Sequence, residues 1–145
     1  MGVRIGKVIK ICPSDGRVQV LYEDVNSVSL PLPMLTMNQE YAMPCVGDRV
    51  AVLHLDNGSS KGIVLGTYYG GRIKPKADKG YRKDFGGGAY LACVEGKYIL
   101  NATAVIIQAD ELVLKCPEGE ITAGEMIRRL ERLEERSGLS RSKII

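Results

Sequence analysis

One histidine, four cysteines and a scatter of carboxylates are all that this chain offers for side-chain catalysis. His54 lies in an alternating run, 50–55. A lone histidine cannot supply a metal site, which needs three or four ligands. With Cys45 it would form a thiol–imidazole dyad, the imidazole taking the proton and the thiolate attacking. Only the fold can bring those two together. The alternative is a strand residue that faces solvent or is satisfied in the core. Cys12, Cys45, Cys93 and Cys116 lie far apart and form no CxxC pair, so zinc is a poor reading. Residues 1–11 alternate apolar residues with Lys and Arg, and no export signal is expected. The thiols therefore read as reduced groups filling apolar space. Glu131, Glu134 and Glu135 alternate with Arg128, Arg132 and Arg136 as helix-surface charges. Gly86-Gly87-Gly88 opens no helix, so it is no phosphate loop. The expectation is a non-enzyme with no cofactor and no metal.

Nucleic-acid binding is the other chemistry to weigh. Tyr22, Tyr68 and Tyr69 offer stacking platforms, and Arg72, Lys74, Lys76, Lys79, Arg82 and Lys83 offer charge. Against this, Asp15, Glu23, Asp24, Glu40, Asp48 and Asp56 crowd the first 70 residues, and net charge is only +3. The basic residues sit in a connector rather than on strands. No nucleic-acid partner is expected, and a single-strand-binding barrel is the alternative reading.

The elements that position these residues are strands. The chain has 145 residues, no tryptophan and one phenylalanine, so its core must come from Val, Ile, Leu and Tyr. Residues 3–11 and 17–22 alternate around the turn Pro13-Ser14-Asp15-Gly16 and read as a hairpin, with Gly6 marking a bulge or a close approach. Pro31 and Pro33 make 28–35 an edge or extended segment. Residues 46–49 turn into strand 50–55, and a loop at 56–60 leads to strand 61–69. Short strands at this spacing predict a small closed barrel, with a five-stranded Greek-key barrel of the OB type fitting the count. Residues 1–70 form this barrel, and 71–88 read as a basic, glycine-rich connector. Residues 89–122 carry short β runs at 89–94, 97–102, 104–109, 112–116 and 120–122. So small a stretch cannot cover both faces of its strands, and without disulfides or metal the strands pack either on the barrel or with other chains. Residues 123–145 predict an amphipathic helix and a frayed tail. Thr122 and Glu125 have capping-box spacing, Met126, Leu130 and Leu133 form a stripe, and Gly138 ends it. No run approaches the roughly 20 apolar residues of a membrane helix.

Five phrases occur in order: Arg4-Ile5-Gly6-Lys7-Val8, Gly16-Arg17-Val18-Gln19-Val20, Leu30-Pro31-Leu32-Pro33, Pro44-Cys45-Val46-Gly47-Asp48-Arg49-Val50-Ala51-Val52 and Gly62-Ile63-Val64-Leu65-Gly66-Thr67-Tyr68-Tyr69. Together they resemble the N-terminal OB domain of phage baseplate assembly protein V, shared with VgrG-type spikes. The resemblance implies a mainly β chain: an OB barrel, a short-stranded, intertwined trimeric β-helix or prism, and here a short C-terminal helix. It implies a homotrimer, a structural central spike or hub-spike adaptor of a contractile tail, R-type bacteriocin or related injection system. Such a protein is made in the bacterial cytoplasm and built into a phage or phage-tail-like particle. Its implied partners are baseplate hub and tail-tube proteins, a separate tip protein, and the target envelope on contraction. On that arrangement the candidate trimer-interface residues are Val105, Ile107, Leu112, Leu114, Met126, Leu130 and Leu133. The His-x-His iron tip of some family spikes has no counterpart here.

Overall fold

Strict alternation in Arg17–Tyr22 and Arg49–His54 sends every second side chain to one face, and in both runs that face is buried. A computed structural model describes residues 2–55, 61–70 and 73–138. The loop expected at 56–60, Arg72 and the tail 139–145 lie outside the described residues. The chain is mainly antiparallel β with one C-terminal helix. It divides into two units, Met1–Gly80 and Tyr81–Ile145.

In the first unit the strands are β1 (Gly2–Cys12), β2 (Arg17–Tyr22), β3 (Ser27–Val28), β4 (Leu32–Pro33), β5 (Arg49–His54) and β6 (Gly62–Thr67). β1 pairs with β2 on one side and β5 on the other, and β5 pairs with β6. β2 also pairs β3 near its end and β4 near its start. Met34 then bridges to Val64 of β6 in parallel, and the Leu35 N–H donates to the Val64 carbonyl at 2.9 Å. Pairings therefore run in a closed circuit, β1–β2–β4–β6–β5 and back to β1. The prolines are tolerated because β4 spans only two residues and Met34 makes the next ladder bond, to Gly16 at 2.8 Å.

The circuit encloses Val8, Val18, Val20, Tyr22, Leu32, Val50, Val52 and Val64, all fully buried, with Ile11, Met34 and Met43 packed against them. Gly6 is a close-approach position. A Cβ there would stand 2.1 Å from Val20 Cγ1 and 3.0 Å from the Leu21 carbonyl oxygen. The bulge lies further along β1, between Val8 and Lys10.

The second unit has less to enclose. β7 (Tyr81–Gly86), β8 (Ala89–Val94) and β9 (Lys97–Asn101) form a three-stranded antiparallel sheet. β10 (Val113–Cys116) and β11 (Gly119–Thr122) form a separate hairpin that runs directly into α1 (Ala123–Ser137). Ala92 is the single buried hydrophobic residue of this unit among those described.

Two expectations differ from the structure here. The connector expected over 71–88 becomes strand β7 at Tyr81, and its glycine run is the β7–β8 turn, with Gly86, Gly87 and Gly88 all at positive φ. The charges of Arg82, Lys83 and Asp84 hid the alternation of Tyr81, Lys83 and Phe85. Residues 104–109, expected as a strand, join no ladder among the described residues. A β-rich sequence becomes a strand only when a neighbour takes its backbone hydrogen bonds.

Gly6→Ala should destabilise the first unit by about 1–3 kcal/mol, because the added methyl meets both Val20 and backbone. Urea unfolding checks this; an unshifted midpoint would refute the close approach.

Candidate functional site

His54 ends β5 with its ring inside the first unit, 5% exposed. Its Nε2 lies 2.8 Å from the Tyr22 hydroxyl, and its Nδ1 is buried with no hydrogen-bond partner among the described residues. The satisfied-core reading of His54 thus describes one of its two nitrogens. The Arg4 guanidinium lies 4.7 Å over the Tyr22 ring, and Arg4 is held by Asp24 at 2.9 Å. A chain of contacts therefore runs from His54 through Tyr22 and Arg4 to Asp24 at the surface. Burial pushes the Tyr22 phenol above its usual value of 10.0, against the opposing pull of Arg4.

Cys45 is exposed, and its backbone N–H donates to Asp48 Oδ2 at 2.8 Å. No hydrogen bond joins Cys45 to His54 among the described residues, and the His54 Nε2 that a dyad would use is engaged by Tyr22. Cys116 is exposed as well, so two of the four thiols do not fill apolar space as expected; Cys12 and Cys93 are half-buried. Among the described residues no group of three or more His, Cys, Asp or Glu is placed to hold a metal ion. Tyr22 is fully buried and cannot serve as a stacking platform, whereas Tyr68 and Tyr69 are exposed. A cleft of about 510 Å³ is lined by Val3, Ile5 and Leu21 with the ion pairs Arg4–Asp24 and Arg49–Glu23. Its two cations are both matched by carboxylates, which leaves no net charge to attract an anion.

The surface that stands out is apolar and belongs to the second unit. In the β7–β8–β9 sheet, Tyr81 pairs with Cys93 and Cys93 with Tyr98, so these three share a face. Lys83, Leu91 and Leu100 form the next row of that face, and Phe85 follows at a bulge between Asp84 and Gly86. Tyr81, Phe85, Tyr98 and Leu100 are all exposed, Tyr98 by 79%. The opposite face is more settled. There Arg82 lies 3.7 Å over the Tyr90 ring and bonds Asp84 at 3.0 Å, a hydrogen bond that holds the guanidinium more firmly protonated. Burying an apolar side chain of this size stabilises by about 1.5–3 kcal/mol, so Tyr81, Tyr98 and Leu100 on one bare face forgo on the order of 5–9 kcal/mol. That equals the whole stability of an ordinary domain.

The residues expected at an interface add to this surface. Val105 and Ile107 are exposed in the stretch 102–111, which joins no ladder among the described residues, beside Ile106 at 90%. Leu114 is exposed on β10 opposite Ile121, and Leu112 is half-buried. Met126, Leu130 and Leu133 are exposed along α1, which buries no residue. The sequence reading missed Tyr81, Phe85, Tyr98 and Leu100. The apolar run Tyr98-Ile99-Leu100 was the available signal for β9, whereas in 81–85 three successive charged residues separate Tyr81 from Phe85. Among the described residues no helix is long and apolar enough to cross a membrane. No protein-family model matches the sequence, and no curated protein matches it.

Tyr22→Phe should cost about 1–3 kcal/mol, since it leaves both ring nitrogens of His54 buried without partners. The raised Tyr22 pKa also gives a sign. Stability from the neutral phenol is fully present below pH 10 and is lost as pH rises through the higher folded value. Alkaline unfolding curves of wild type and Tyr22→Phe check this. Identical pH dependence above 10 would refute it.

Proposed function

We propose that this protein is a structural, homotrimeric central spike or hub-spike adaptor of a contractile phage tail, R-type bacteriocin or related injection-system baseplate. The observation that carries the reading is the second unit's bare apolar surface. Among the described residues, its sheet face, its 102–111 stretch and its helix stripe all stay largely uncovered. Three copies wound together would give residues 104–109 the strand neighbours they lack and would bury Val105, Ile107, Leu112 and Leu114 along a common axis. A short-stranded, intertwined β-helix or prism is the architecture that meets this need.

The first unit supports the same reading. Its pairing order, with Met34 beside β4 bridging in parallel to Val64 of β6, is compatible with the OB barrel that the reading requires. The five sequence phrases that resemble the baseplate family all fall within it. On this reading the barrel meets hub and tail-tube proteins, a separate tip protein completes the point, and the target envelope is met on contraction. The protein is made in the bacterial cytoplasm and works inside the particle. The competing reading, a barrel that binds single-stranded nucleic acid, loses Tyr22 as a platform and finds its cleft charges already paired.

Light scattering at micromolar concentration should give three times the 15.8 kDa chain mass. A monomer sinks the proposal. Tyr98→Asp and Ile107→Asp should each shift the mass towards monomer, because an unpaired charge would be buried in the assembly. The first unit's unfolding transition should stay in place. A trimer untouched by both changes would take these side chains out of the interface.

A further inference from the structure

α1 begins where β11 ends, with Thr122 Oγ1 accepting from the Glu125 N–H at 3.1 Å, and it stops at Gly138, whose N–H returns to Glu134. Between those caps its apolar side chains follow 4-3 spacing. Met126, Ile127, Leu130 and Leu133 are 37, 55, 54 and 60% exposed. Written as heptads, Met126 and Leu133 take position d, and Ala123, Leu130 and Ser137 take position a. Ile127 at e widens the stripe beyond a two-stranded seam.

The flanks of the stripe are sorted by charge. Arg129 and Arg136 occupy the g positions on one side, and Glu134 occupies e on the other. Within its own helix Arg129 bonds Glu125 one turn back, an exposed pair that salt and competing partners displace easily. In parallel helices a g residue meets the e residue five positions on in its neighbour. Arg129 then meets Glu134 of the next copy. An antiparallel arrangement sets g against g and brings arginine to arginine.

We infer that α1 is a parallel, in-register self-association helix, whose partner is α1 of another copy of this chain. Two heptads are too short to associate alone. Strands that already associate raise the local concentration of the helices attached to them. The copy number, three, rests on the proposed function; the parallel pairing and its register rest on the charge order.

The test uses the full chain as wild type, Glu134→Arg, Arg129→Glu and the double exchange. Light scattering over a dilution series gives the dissociation midpoint, and circular dichroism confirms folding. Either single reversal should weaken assembly roughly tenfold to a hundredfold, since each cyclic contact turns from attraction to repulsion. The double exchange should restore it to within about threefold. Leu130→Asp, inside the stripe, should weaken assembly without rescue by either charge change. A wild-type trimer indifferent to all three charge variants overturns the inference and leaves the trimeric reading standing. A wild-type dimer that follows the charge pattern sustains the helix pairing and overturns the trimer. A monomeric wild type overturns both.

Discussion

Every β-sheet has two faces and two edges, and each must be covered, paired or made polar. That constraint organises this chain, and its two units meet it differently. The first closes its pairings into a circuit, so its inner face becomes a valine-rich core and most of its edges disappear. The second keeps three-stranded and two-stranded pieces open, with one buried hydrophobic residue among those described. It has 65 residues at most, and no disulfide joins Cys93 to Cys116. A unit of that size buries a smaller share of its surface than a larger domain does, and this one leaves most of its large apolar side chains exposed.

Inside the circuit the polar exception is the Tyr22–His54 pair. The largest buried side chains are small-volume valines apart from Tyr22 and Leu32, so Tyr22 fills space that no other residue reaches. Its hydroxyl needs a partner there, and His54 supplies one at the cost of an orphaned Nδ1. Arg4 closes the aromatic face towards solvent while Asp24 holds it. The single histidine is thereby explained by packing.

Much of the first unit was legible because alternation reports a sheet with one wet face. Val18, Val20 and Tyr22, and Val50, Val52 and His54, follow it without a break. Capping was legible too, since Thr122 and Gly138 act through local geometry. What lay hidden depended on distant neighbours. That Tyr22 meets His54 in a buried hydrogen bond depends on how β2 and β5 flank β1, which alternation within one strand does not report. β7 was obscured by its charges, of which Arg82 and Asp84 pair with each other. The bareness of Tyr98 and Phe85 is invisible in a sequence, because aromatic residues in a strand normally announce a core. Residues 104–109 have strand composition, but a ladder is a property of two segments.

Thr122 is at once the last residue of β11 and the cap of α1, and the Ala123 N–H donates to the Leu112 carbonyl at 2.8 Å. No linker separates hairpin from helix. A push or twist on α1 therefore has no slack to take up and passes straight into the hydrogen bonds of the β10–β11 ladder. Those bonds lie across the strands, so the joint resists shear collectively and gives way only when several break together.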